Sequence, residues 1–216
     1  MIKHICEEEV LRYLGYPSRK SADAATLSLI EECRKELVSS VRPKTVYRRL
    51  GITFQEDAVC VNHSDVQLLG KSIYRHLSGA SECIVMAATL GNEAERVIKK
   101  AGLSSAARGL VMDACATALI EAVCDGLEKE INQKEGSCNF RFSPGYGDFP
   151  VTQQKEILAL LDAEKRIGLY VSSAHLLIPR KSVTAVLAMG KNETMTENKC
   201  SQCANKEGCA FRNYES

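Results

Sequence analysis

Apolar positions along this chain recur with two periods, and the switches between them mark the elements. Residues 6–14 read as a short helix that stops at the Gly and Pro of "GYPS". Asp23 is placed to cap a second helix to about Leu37, with Ala24, Leu27, Ile30 and Leu37 on one face. "KTVYRRL" (44–50) and "DAVCVN" (57–62) alternate as strands do. A helical spacing returns over 66–78, and "SECIVMAATLG" (81–91) reads as a buried strand ending at glycine. Helices are expected over 93–101 and about 105–131, and again over 152–168, with Thr152 near the start and Gly168 as the stop. "LYVSSAHLLIP" and "SVTAVLAMG" read as two further strands.

Helices and strands are mixed without strict βαβ alternation, which predicts an α+β fold. The expectation is a mixed or antiparallel twisted sheet flanked by helices, with an N-terminal helical segment. Residues 1–190 are read as a single domain whose N-terminal helical part is 1–42, and 191–216 as a cysteine-containing tail.

Composition narrows the function. Apolar residues at 45% and charged residues at 25% allow an ordinary packed core. The net charge of +1, without a basic stripe, and the absence of Trp argue against nucleic acid as a partner. The acidic N-terminus does not read as a signal peptide, and the longest apolar run, "CIVMAATL", is far short of a membrane span. A cytoplasmic protein is expected. There are ten cysteines. Cys33, Cys83, Cys115 and Cys124 sit singly in apolar periodic segments and read as small buried hydrophobes.

The segment "RFSPGYGDFP" (141–150) interrupts this regular pattern. In "NFRFS" the period of two puts Phe140 and Phe142 on one side and Arg141 and Ser143 on the other. "SPGY" has the signature of a type II turn, with Pro144 at its second position and Gly145 at its third, so Tyr146 should return close to Ser143. Arg141 then offers a planar fork for a carboxylate, the Ser143 backbone suits a polar ring edge, and Tyr146 brings a ring and a hydroxyl. One reading is a small-molecule cradle; the other is a surface loop whose arginine caps the preceding helix. On that helix Glu121 has Thr117 and Asp125 at four-residue spacing, beside the small side chains Ala114, Ala118 and Ala122.

Taken together, these residues resemble the activation domain of cobalamin-dependent methionine synthase, which binds S-adenosylmethionine. Arg141, Gly145, Tyr146 and Pro150 match its loop; Leu160, Leu161, Glu164 and Gly168 match the helix that follows; Pro179, Ser182 and Val183 match the start of its last strand; and Leu119, Glu121 and Ala122 fall in register with its preceding helix. The likeness covers roughly 112–190. It departs where "GDFPVTQQ" replaces a Cys-His pair and where the family has a Trp- and Phe-rich N-terminal segment.

The resemblance implies a stand-alone subunit of a methionine-biosynthesis methyltransferase system, acting in trans on a corrinoid protein or on the cobalamin-binding part of methionine synthase. An electron donor of flavodoxin or ferredoxin type would reduce cob(II)alamin, and S-adenosylmethionine would methylate the reduced cobalt. Glu121, Arg141, Ser143, Gly145 and Tyr146 would form the S-adenosylmethionine site, with no catalytic side chain. Two alternatives stand beside it: a non-catalytic module that docks on a corrinoid protein, and an iron–sulfur protein that reduces the corrinoid.

The tail supports a separate expectation. Cys200, Cys203 and Cys209 could hold zinc or an iron–sulfur cluster, with Cys138, Cys6, Cys60 or a histidine as a fourth ligand. The spacing is not that of radical S-adenosylmethionine enzymes, and "ATLGNEAE" lacks a Rossmann glycine pattern.

Overall fold

The computed structural model describes residues 5–56 and 58–190. The N-terminal part is helical: α1 spans Glu7–Tyr13 and α2 Ala24–Ser40. As expected, the Asp23 carboxylate caps α2, accepting from the Thr26 N–H at 2.7 Å, a contact worth about 1 kcal/mol. Then come β1 (Lys44–Phe54), β2 (Ala58–Val61), β3 (Gln67–Leu69), α3 (Lys71–Leu77) and β4 (Glu82–Thr89). Helices α4 (Asn92–Ser104) and α5 (Ala106–Lys134) form an antiparallel pair. A β-carbon on Gly109 would come within 2.7 Å of the Gly102 backbone, so these glycines let the two helices touch. After the 135–153 segment come α6 (Gln154–Leu161), α7 (Ala163–Ile167), the small hairpin β5 (Tyr170–Val171) and β6 (Leu177–Ile178), and β7 (Ser182–Ala188).

The main sheet is antiparallel, in the order β3-β2-β1-β4-β7. β4 lies inside it and is buried along almost its whole length, which explains its unbroken apolar sequence. Ile84, Met86 and Ala88 pack toward α1, α2, α4 and α5. Cys83, Val85 and Ala87 pack on the opposite side, toward α3, α6 and α7. The period of two therefore divides one strand between two cores. The fold is α+β, as the sequence predicts. Cys33, Cys83, Cys115 and Cys124 are fully buried, and burial raises the last three thiols to about 12.

Three expectations need correction. The single strand expected in "LYVSSAHLLIP" is the hairpin of β5 and β6, because the chain turns back at 172–176, where the Ser172 N–H donates to the Leu176 carbonyl. The helix expected over 66–78 begins only at Lys71, because Gly70 adopts φ 120° and Gln67–Leu69 pair with β2. The helix expected over 152–168 is two helices broken at Asp162, which takes a left-handed φ of 50°. Gly168 does end the second of them, at φ 72°.

Candidate functional site

Residues 138–142 run beside β7 and bridge to it at Cys138–Met189 and Phe142–Val186. The Phe142 N–H donates to the Val186 carbonyl at 3.0 Å and the Val186 N–H returns to Phe142 at 2.9 Å. Asn139 adds its backbone N–H to the Ala188 carbonyl at 3.1 Å, and its side-chain oxygen accepts the Ala188 N–H at 2.7 Å. This pairing determines where each alternate side chain points. Phe140 and Phe142 both pack on the buried ring of His76 in α3, with centroids 4.9 Å away in each case. Arg141 leaves on the opposite side, toward α5.

Arg141 is far less open than the sequence suggests. Its side chain is 9% exposed, and both Nη atoms meet carboxylates of α5. Nη2 lies 2.9 Å from Glu121, and Nη1 lies 2.7 Å from both Asp125 and Glu128. These acids are spaced four and three residues apart, so they share one helical face. Burial alone would weaken the guanidinium charge, but the Glu128 and Asp125 carboxylates outweigh it and hold the arginine protonated. Glu128 is 6% exposed, whereas Glu121 and Asp125 are 41% and 56% exposed and reach solvent.

The polar face continues toward the start of α5. Lys181 meets Asp113 at 2.9 Å and donates to the Thr117 hydroxyl at 2.7 Å. The row Asp113, Glu121, Asp125 and Glu128 therefore sets four carboxylates against the two cations Lys181 and Arg141. The Tyr13 phenol on α1 borders it: burial first, and then the Glu121 carboxylate, push its pKa up.

The turn at 143–146 forms as the sequence predicts. The Tyr146 N–H donates to the Ser143 carbonyl at 3.1 Å, and Gly145 has φ 97°, which an L side chain rarely adopts. The Gly145 N–H also closes onto the Phe149 carbonyl at 2.7 Å. Asp148 ties the loop to α3 by accepting the backbone N–H groups of Lys71 and Ser72 at 2.9 and 2.8 Å. The Ser72 and Lys71 bonds hold its carboxyl down at about 2. Tyr146 is 58% exposed and packs edge-on against Phe142, with centroids 5.9 Å apart.

The five site residues read from the sequence thus divide. Glu121 and Arg141 come into direct contact, and Ser143, Gly145 and Tyr146 form one turn. Tyr146 packs on Phe142, on the aromatic side of the segment. Arg141 engages the preceding helix along its side, as the loop reading anticipated, but through acids in mid-helix and not through a cap. Sequence reasoning missed Glu128, Lys181, Asp148 and Tyr13. Glu128 was findable, since it lies seven residues after Glu121 on the same face.

The metal expectation at Cys200, Cys203 and Cys209 lies outside the described residues. Among the described residues no three His, Cys, Asp or Glu side chains are grouped to hold a metal. Cys138 is buried, and burial raises its thiol to about 11. No described helix is long and apolar enough to cross a membrane.

A scan against family models and a search of curated proteins both give no match. Among solved structures the chain is similar to the MetH reactivation domain bound to AdoHcy, with a TM-score of 0.63 at 15% identity. The alignment covers 80% of this chain and 69% of that one. The chain carries the fold of that reactivation domain.

Proposed function

We propose that this chain binds S-adenosylmethionine on the acidic face of α5 and supports reductive methylation of a corrinoid held by a separate protein. The observation that carries the reading is the row of four carboxylates against two cations, on a fold whose solved counterpart is a reactivation domain bound to AdoHcy. S-adenosylmethionine has a sulfonium and an ammonium against one carboxylate, so its net charge complements the excess acid.

The ion pairs suggest how the ligand enters. Glu128 is buried and stays on Arg141, because separating a buried pair costs several kcal/mol, about 3–5. Asp125 and Glu121 are partly exposed, and such pairs are worth only about 0–1 kcal/mol. The ligand carboxylate replaces one of them on Arg141, and the released acid receives the ammonium or faces the sulfonium. The Ser143 N–H has no hydrogen-bond partner among the described residues and suits an acceptor of the adenosyl part. Tyr146 and Gly145 bound that side.

The chemistry supplied when both partners are present is transfer of the sulfonium methyl to reduced cobalt, the S–CH3 electron pair staying on sulfur as S-adenosylhomocysteine leaves. The chain's own work is to place the methyl group and hold the charges around it.

Isothermal calorimetry with S-adenosylmethionine tests this. Wild type should bind, and Arg141→Ala should bind about thirtyfold more weakly, the equivalent of about 2 kcal/mol. With a corrinoid protein and a one-electron reductant, the visible spectrum should show methylation only when both the chain and S-adenosylmethionine are present. Equal rates without the chain would overturn the reading in favour of a docking module.

A further inference from the structure

The edges of the main sheet are closed in two places by unusual means. On the outer edge of β3, Gln153 acts in place of a strand: its side-chain oxygen accepts the Leu69 N–H at 2.7 Å and its amide donates to the Gln67 carbonyl. On the outer edge of β7, residues 138–142 supply the bonds described above.

A third stretch has no such cover. β1 pairs with β4 from Lys44 to Gly51, but with β2 only from Ile52 to Phe54. The Ile52 N–H donates toward β4, to Ser81, while the Gly51 carbonyl accepts from Asn62 on the β2 side. Hydrogen-bonding direction alternates along a strand. The N–H and C=O groups of Thr45, Tyr47 and Arg49 therefore point away from β4, and none has a hydrogen-bond partner among the described residues. A depression of about 450 Å³ runs beside them, bounded by Leu127 and Glu130 of α5 and Arg166 of α7. There is room for another strand there.

The charge around this edge is one-sided. Arg48 and Arg166 are exposed and have no ion-pair partner among the described residues. Glu130 is paired with Lys134, and Glu135 with Arg49 and Tyr47. A second copy of the chain would bring a second Arg48 and Arg166 to the edge, so the charges oppose self-pairing. We infer that the Thr45–Arg49 edge of β1 receives an extended, carboxylate-bearing segment of a partner protein as an added strand. From Thr45 to Arg49 the edge spans roughly 13 Å, enough for about five residues of the partner. Main-chain bonds supply the pairing, and Arg48 and Arg166 select side chains on the face toward α7. This surface is independent of the proposed S-adenosylmethionine site.

The test is fluorescence anisotropy on the full chain. The probe is a labelled ten-residue peptide of alternating Thr and Val with Glu at three positions. Controls are the same peptide with Lys for Glu, and one N-methylated at alternate amides, which keeps its charge but cannot pair. The Glu peptide should bind, the methylated peptide at least tenfold more weakly, and the Lys peptide not at all. Arg48→Glu with Arg166→Glu should cost at least tenfold while circular dichroism stays unchanged. No binding of the Glu peptide, or equal affinity for the methylated one, overturns the proposal. So does a concentration-dependent dimer in sedimentation that the peptide does not dissociate. A benzophenone at position 45 that cross-links to residues 191–216 assigns the edge to this chain's own tail and also overturns it.

Discussion

The two sides of the short segment 139–142 face opposite chemistry. On one side Phe140 and Phe142 close around His76, and Phe142 stacks on Phe149, 6.2 Å between centroids. On the other side Arg141 gathers three carboxylates from α5. The aromatic side is anchored by ring packing of the half-buried Phe140 and Phe142 on the buried His76 and Phe149. The ionic side is anchored only at Glu128, and grades outward to acids that reach solvent. A binding surface needs that gradient: one partner rigid enough to position the arginine, and others cheap enough to exchange. The aromatic side has no comparable freedom and serves to keep the strand in place.

The largest break should come from the aromatic side. Phe149 is 1% exposed, and Phe149→Ala should cost about 3–5 kcal/mol in urea unfolding, with loss of the loop that Gly145 and Asp148 close. Next comes Arg141→Met, which leaves Glu128 buried without its cation and should cost about 3 kcal/mol. Adding Glu128→Met should restore most of that stability but not ligand binding. If the double variant is as unstable as the single one, the buried pair is not what anchors this side.

Glu121→Gln sharpens the contrast between stability and binding. With Glu121 partly exposed, its stability loss should stay below about 1 kcal/mol. Its affinity for S-adenosylmethionine should fall about tenfold in calorimetry, as one charge-assisted contact is lost. An unchanged affinity would take Glu121 out of the site.

The smallest effect belongs to Asp148. Its carboxyl titrates at about 2 in the folded chain, below the ordinary value of 3.8. The folded state thus favours the ionised form. Its contribution is present above about pH 4 and is lost as pH falls toward 2. Asp148→Asn should flatten the fall of the melting temperature in that window by lowering it slightly at pH 7, with the two proteins converging near pH 2. An identical acid profile for both proteins would show that the loop's tie to α3 is not ionic.

Much of this was present in one dimension. The capped start of α2, the buried strand β4, the left-handed stop at Gly168 and the turn at Ser143–Tyr146 all depend on neighbours within a few residues. Their signals are local: an acid before a helix, an apolar run, a glycine, a Pro-Gly pair. Alternation likewise placed Phe140 and Phe142 opposite Arg141, because a strand side chain cannot choose its face independently of its neighbours. What occupied each face was decided by packing. Whether Arg141 met solvent or α5 depended on a helix ending several residues earlier and on the pairing of 138–142 with β7, about 45 residues later. The open edge of β1 is of the same kind. No residue in "KTVYRRL" reveals it; it exists because β2 is shorter than β1 and α7 stops beside the gap without filling it. A sequence specifies the direction of each side chain through its own backbone, but the partner it meets is determined by how separate elements are brought together.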